Sequence, residues 1–202
     1  MHKEILTDEQ VRLLPILKLF NQDFGLVGGT AIALHIGHRQ SLDFDLFSPE
    51  DFDSSRIRER IGSRVKITNV LVDRRGEYTI VIGDIKMTFA QYPFPIDYAQ
   101  DFDHVTAVPD LLTLAAMKAY ALGRRAKWKD YVDLYFIVAQ HAVVDIIGRA
   151  RNIFQQEFNE KTFRTQLAYF PDIDYSEEVI FMPGSAVDGE VIKKELVRAS
   201  LS

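Results

Sequence analysis

The hydrophobic pattern changes period several times along the chain, and each change predicts an element. Val11, Leu14, Leu17 and then Leu19 or Phe20 recur at helical intervals behind Thr7 and Gln10, which have capping-box spacing, so residues 7–21 are predicted to be a helix. Phe24 to Val27 is a short apolar run that stops at Gly28 and Gly29, predicting a buried strand and a turn, after which Thr30 is placed to cap a helix running to Gly37. Between Ser41 and Phe47, the residues Leu42, Phe44 and Leu46 alternate with Ser41, Asp43 and Asp45, the period of a strand with one buried face. Both aspartates then point to one side. Ser48 and Pro49 predict a helix start, with mixed charges over 49–61 suiting an exposed helix.

From Val65 to Tyr92 the pattern is that of strands. Lys66–Val72, a turn at Arg74, Arg75 and Gly76, then Tyr78–Ile82 and Ile85–Ala90 predict an antiparallel meander ended by Pro93 and Pro95. Val105–Val108 adds a short strand before Pro109 and Asp110 open a helical half, with helices expected near 110–122, 129–140, 144–157, 160–169 and 188–200. Loops are expected around Pro171 and around Pro183 and Gly184. The predicted fold class is α/β (α+β): residues 1–104 form a mixed sheet flanked by helices, and residues 105–202 form a helical region that closes over it.

Composition narrows the class. Of 202 residues, 24 are Lys or Arg, 29 are Asp or Glu and none is Cys, which excludes a disulfide framework, thiolate zinc, iron–sulfur clusters and a cysteine nucleophile. A chain of this length buries roughly 70% of the surface its unfolded form exposes, so no structural metal is required. The apolar run Phe24–Leu34 falls short of the ~20 residues that span a bilayer. Met1–Gln10 carries Asp8 and Glu9 where a signal core would be apolar, so no membrane association and a cytoplasmic location are expected. The formal charge of −5 argues against a broadly basic surface, yet a local basic groove can still bind phosphates.

The most informative constellation is Asp43 and Asp45 preceded by the Gly28, Gly29, Thr30 turn. Carboxylates at i and i+2 of a strand share a face and lie about 7 Å apart by strand rise, so they can converge on a divalent cation, with magnesium expected. A glycine turn opening a helix lets phosphate oxygens reach backbone N–H groups at the positive end of the helix dipole, and Thr30 can add a hydroxyl. Together these parts suit nucleotidyl transfer from a nucleoside triphosphate. Neither G-x-x-x-x-G-K-[ST] nor G-x-G-x-x-G occurs, so no P-loop or dinucleotide fingerprint competes.

A second constellation lies downstream. Between Lys118 and Lys129 the chain carries Lys118, Arg124, Arg125, Lys127 and Lys129 with no acid, followed by Asp130 and Asp133. On one continuous helix Lys118, Arg125, Lys129 and Asp133 share a face; Gly123 instead allows two helices meeting at the site. Either arrangement lets a lysine and an arginine face the aspartate strand and bind phosphates, with Asp130 or Asp133 orienting those cations or contacting the second substrate. His38 and Arg39, just before the aspartate strand, either touch the triphosphate or brace the loop. The remaining histidines have no metal-ligand spacing.

The stretch LVGGTAIALHIGHRQSLDFDLF at residues 26–47 resembles the first motif of the polymerase-β-like nucleotidyltransferase superfamily. More closely, its G-G-T, G-H-R and S-x-D-x-D-x-F order resembles the AbiEii/AbiGii toxin nucleotidyltransferases, as do KMTFAQYPFP at 86–95, MKAYALGRRAKWKDYVDLYFI at 117–137 and LAYFPD at 167–172. The resemblance implies a toxin of a toxin–antitoxin or abortive-infection system, with an RNA acceptor, tRNA foremost, and a partner antitoxin. It also implies that Lys118, Arg125, Lys129, Asp130 and Asp133 are functional positions. One departure stands out: where many members of the superfamily carry a third carboxylate on a later strand, Ile85–Ala90 offers Thr88 and Lys86, with Asp84 at its edge. The general base is then Asp45, or Asp130 or Asp133 reaching in. Two other readings stay open. Thr88 motivates a nucleotide-binding toxin or regulator that acts by sequestration without turnover, and the acidity of the chain motivates a small-molecule, aminoglycoside-like acceptor.

Overall fold

A computed structural model describes residues 1–122 and 124–202; Gly123, the predicted interruption of the basic helix, lies outside the described residues. The chain opens with helix α1 (Asp8–Lys18), strand β1 (Gly25–Val27), helix α2 (Gly28–Ile36), strand β2 (Phe44–Ser48) and helix α3 (Ser54–Gly62). Strands β3 (Asn69–Arg74), β4 (Glu77–Ile82) and β5 (Ile85–Gln91) form the expected meander. A small hairpin, β6 (Gln100–Phe102) and β7 (Thr106–Val108), leads into helices α4 (Leu111–Leu122), α5 (Trp128–Val138), α6 (Val143–Phe154), α7 (Glu160–Leu167) and α8 (Gly189–Ser200). No single helix among the described residues is long and apolar enough to cross a membrane.

The main sheet has five strands in the order β1-β2-β5-β4-β3. Only the β2–β5 pair is parallel. That pairing puts Asp45 opposite Thr88, and Thr88 in turn opposite Thr79 of β4. Because side chains alternate across a sheet, the Asp45–Thr88–Thr79 row shares one face, and the Leu46–Phe89–Tyr78 row, fully buried, shares the other. Phe89 meets Phe20 and Phe24 edge-on at centroid distances of 4.9 and 5.2 Å, which seals that second face beneath the end of α1. The hydrophobic core continues through residue 105: Leu26, Phe44 and Phe89 belong to the same cluster as Leu114, Val132 and Ile146.

Several boundaries shift for local reasons. The capping box holds, with the Thr7 Oγ1 accepting from Gln10 N at 3.2 Å and Gln10 Oε1 accepting from Thr7 N at 3.1 Å. Strand β2 starts at Phe44, three residues later than the alternation predicts, and Leu42 is exposed. Gln10 Nε2 takes the Ser41 carbonyl at 2.7 Å and the Thr30 hydroxyl takes that of Asp43, so this backbone is bonded to helices instead of a neighbouring strand. Ser48 remains in the sheet opposite Gln91, so the helix predicted to start beside Pro49 waits for Asp53, whose side chain accepts from Ser55 N at 2.9 Å. Strand β6 was not predicted; it pairs only with β7. Phe89→Ala is expected to lower unfolding free energy by about 3–5 kcal/mol in urea titrations, since it removes the ring on which both other phenylalanines rest.

Candidate active site

The site begins where β1 turns directly into α2. Helix α2 starts at Gly28, two residues before the predicted cap, with Val27 as N-cap and no side chain capping it. Gly28 has φ +71°, and a Cβ there would lie 2.2 Å from Asp45 Oδ2. Only glycine lets the aspartate approach the helix N-terminus this closely. Gly29 is needed for a different reason, because a Cβ there would lie 2.6 Å from Arg39 Nη2. Thr30 is buried inside the helix, and its hydroxyl donates to the Asp43 carbonyl and reaches Ser41 Oγ at 3.0 Å. Its contacts therefore fasten α2 to the start of β2, whereas capping and phosphate contact were the roles expected of it.

Asp45, on β2, lines the cleft, and Asp43 stands just before that strand. Lys86 Nζ sits 2.8 Å from Asp43 Oδ2. Burial, and then the neighbouring Asp43 charge, push the Asp45 carboxyl above the usual carboxylate range, only partly offset by Lys86, Lys129 and Arg125. Burial alone would lower the Lys86 pKa, but the hydrogen bond and charge of Asp43, with the charges of Asp45 and Glu177, outweigh it and raise it. Thr88 stands beside Asp45 with its hydroxyl 3.4 Å from that of Thr79, so no carboxylate neighbours the pair on β5.

Behind the cleft lies a buried ionic hub. Asp133 Oδ1 accepts from His38 Nε2 at 2.8 Å and Arg39 Nε at 2.7 Å, while Oδ2 accepts from Arg39 Nη2 at 2.9 Å and faces Lys118 Nζ at 2.9 Å. Lys118 also donates to Asp130 Oδ1 at 2.7 Å, and Arg125 Nε lies 3.3 Å from Asp130 Oδ2. Burial alone would raise the Asp133 carboxyl, but Arg39, Lys118 and the hydrogen bonds hold it well below the usual range. The same carboxylates outweigh the cost of burial at Lys118 and Arg39 and raise both. Asp130 and Asp133 are fully buried. They orient the cations, and neither is exposed to receive a substrate. Arg39 braces the loop, the second of its two expected roles: it is buried, and its Nη1 donates to the Gln40 carbonyl at 2.8 Å. The basic segment is not one continuous helix, since α4 ends at Leu122 and α5 begins at Trp128.

A cleft of about 480 Å³ connects these parts, lined by Gly28, Asp45, Lys86, Thr88, Lys118 and Arg125 and extending to Glu77 and Tyr92. Lys129, expected among the functional positions, is held in an ion pair while its charge still reaches Asp45. It and Lys127 both pair with Glu177, whose carboxyl, despite burial, is lowered to about 2 by those lysines. Glu177 belongs to a C-terminal strap bonded to the loop before β2 through Ile180 O to Gln40 N and His38 O to Met182 N, at 2.8 and 3.0 Å. Nothing periodic marks that strap in the sequence. Glu77 lies one residue outside the expected strand Tyr78–Ile82, and no local pattern singles it out.

A model of the nucleotidyl transferase AbiEii toxin family, type IV toxin–antitoxin system, matches residues 12–195. The chain belongs to this family. It is 33% identical over 123 residues to the uncharacterised protein aq_aa25 of Aquifex aeolicus, and the match spans 59% of each chain. Among solved structures, the AbiEii fold seen here matches a proposed nucleotidyltransferase of H. pylori with TM-score 0.61 and 15% identity, covering 100% of this chain and 95% of that one. JHP933 from Helicobacter pylori gives 0.59 and 15%, covering 98% and 91%. MenT4, a nucleotidyltransferase toxin of Mycobacterium tuberculosis, gives 0.55 and 13%, covering 94% and 80%. At such identities the likeness is one of fold.

Within this AbiEii chain Asp43 and Asp45 fit magnesium by the chemistry of their donor set. They offer hard carboxylate oxygens in mutual repulsion, and magnesium commonly takes one or two carboxylates and completes its shell with phosphates and water. Among the described residues no group of three or more His, Asp or Glu is placed to hold a metal by itself.

Two outcomes follow from the electrostatics. Asp133→Ala strands Arg39, Lys118 and His38, and should cost about 3–5 kcal/mol by chemical denaturation, whereas Lys86→Ala, at the exposed pair, should cost no more than about 1 kcal/mol. Asp45→Asn should instead stabilise the metal-free protein at neutral pH. An acid with a raised folded pKa destabilises the fold as pH climbs from the unfolded value through the folded one. Its removal should raise the melting midpoint by about 2–4 °C per kcal/mol relieved, and differential scanning fluorimetry should show that gain disappearing as the buffer is acidified below the folded pKa.

Proposed function

We propose that the chain transfers a nucleoside monophosphate from a nucleoside triphosphate to an acceptor hydroxyl, releasing pyrophosphate. The acceptor in this reading is RNA, tRNA foremost, and the protein acts in the cytoplasm as a toxin restrained by a protein antitoxin. The observation that carries the reading is Asp45 on β2, with Asp43 just before that strand, set against the open N-terminus of α2 in a cleft that Lys86, Lys118 and Arg125 also line. Backbone N–H groups at the start of α2 donate to phosphate oxygens, a role for which no side chain competes. Lys86 and Arg125 neutralise the triphosphate, with Lys118 held at the back of the cleft by Asp130 and Asp133. Asp43 and Asp45 are the residues that would hold magnesium, which would supply positive charge to the reacting phosphate when bound. The acceptor proton passes to Asp45, since the other two aspartates are buried in ion pairs and Thr88 occupies the place of a third carboxylate.

The same threonine favours a second reading, a nucleotide-binding toxin that sequesters its partner without turnover. Labelled transfer separates the two. With magnesium, one of α-labelled ATP, GTP, CTP or UTP should label total bacterial RNA, and Asp43→Ala and Asp45→Ala should each reduce labelling by about 10²–10³-fold or more. Nucleotide and magnesium binding with no labelling of any acceptor by the wild type would overturn the transfer reading in favour of sequestration. RNA affinity should also fall steeply with salt as phosphate contacts are screened.

A further inference from the structure

We propose that the end of the cleft remote from the aspartate pair is a nucleobase pocket for the nucleoside triphosphate, with Arg124 as its stacking platform and Glu77 as the group that reads the base edge. The inference rests on the nucleotide-binding reading of the site. The sheet lays out the two ends in successive rows. The row Asp45, Thr88, Thr79 carries charge and hydroxyls; two residues along each strand, about 7 Å away, comes the row Phe47, Ala90, Glu77. Ala90 leaves a shallow floor between an aromatic ring and a carboxylate. All three residues line the same cavity as Asp45 and Gly28, whose volume of about 480 Å³ suits a single small ligand.

The walls of that end are flat. On one side Tyr92 lies against Phe47 with centroids 4.9 Å apart and a tilt of 32°. On the other, Tyr120 stacks on Phe154 at 4.1 Å and 10°, and the Arg124 guanidinium lies 3.9 Å over the Tyr120 centroid. Tyr120 is thus packed between Phe154 and the Arg124 guanidinium, and Tyr120 and Arg124 both line the cleft. Arg124 Nη2 is steadied by the Tyr120 hydroxyl at 2.7 Å and by Glu157 at 3.5 Å. A planar, weakly hydrated cation finished in this way is a surface on which a base stacks.

Glu77 supplies selectivity. Arg74 Nε holds its Oε2 at 2.9 Å. An ionised carboxylate only accepts hydrogen bonds. It therefore suits the exocyclic amino groups of adenine, cytosine or guanine, and disfavours uracil, whose one ring N–H is flanked by carbonyl oxygens that the carboxylate repels. Neither residue touches the reacting phosphate, so both should act on nucleotide choice and affinity.

The test is calorimetric titration of the full chain, with magnesium, against ATP, GTP, CTP, UTP and tripolyphosphate. UTP should be the weakest nucleotide, about tenfold or more below the tightest. Glu77→Gln, whose amide both donates and accepts, should shrink that gap to within about threefold. Arg124→Lys keeps the charge and removes the plane; it should weaken all four nucleotides by about tenfold and leave tripolyphosphate unchanged. If nucleotides bind but UTP ranks with the others, if Glu77→Gln leaves the ranking unaltered, or if Arg124→Lys weakens tripolyphosphate as much as nucleotides, the base pocket is overturned while the phosphate site stands. If the wild type binds neither nucleotides nor tripolyphosphate, the nucleotide reading falls and the pocket with it.

Discussion

The architecture of the site depends on the buried carboxylate of Asp133. Its two oxygens are met by Arg39, His38 and Lys118, from the loop before β2 and from α4, while Asp133 itself sits on α5. One side chain thus ties three separate parts of the chain at a point with no access to water. Burying such a charge is costly, and the arrangement is sustained because both oxygens are fully engaged, one pair of bonds being the forked contact of a guanidinium. The geometry of the cleft follows from this hub, since Arg39 sets the path of the loop into β2 and Lys118 is presented at the back wall by Asp130 and Asp133 together.

The two glycines of the β1–α2 turn serve the same construction. Gly28 admits the Asp45 carboxylate to the helix start, and Gly29 admits the Arg39 guanidinium on its way to Asp133. The turn is therefore a packing device for an acid and a base at adjacent residues, and the exposure of helix N–H groups is its by-product. The result is strained electrostatically, because Asp45 is held near Asp43 in a poorly solvated position. A site that raises the energy of the Asp45 carboxylate is one prepared to receive cationic charge. The strap bearing Glu177 does the reverse, seating a carboxylate between Lys127 and Lys129.

Much of this was legible in the chain. The period-two alternation put Asp45 on the face opposite the buried Phe44 and Leu46, while Asp43, just before the strand, is held by its contact with Lys86. The capping box at Thr7, the meander and the five downstream helices carry strong local signals, and each appeared close to its expected position. Boundaries failed where long-range bonds intervened: Thr30 and Gln10 hold the backbone before β2, and Ser48 stays paired with Gln91 past the expected helix start.

The sequence by itself determined most of the elements, the face of β2 that carries Asp45 and the family to which the chain belongs, because each rests on local periodicity or on residues adjacent in the chain. Tertiary structure alone decided the roles within the site. It buried Asp130 and Asp133, turned Arg39 and Thr30 inward, and brought Glu177 onto the lysines and Glu77 and Arg124 into the cleft. The Asp133 and Glu177 assignments depend on charges that meet across about 50 to 95 residues of separation, and no spacing rule along a strand or helix encodes such a meeting.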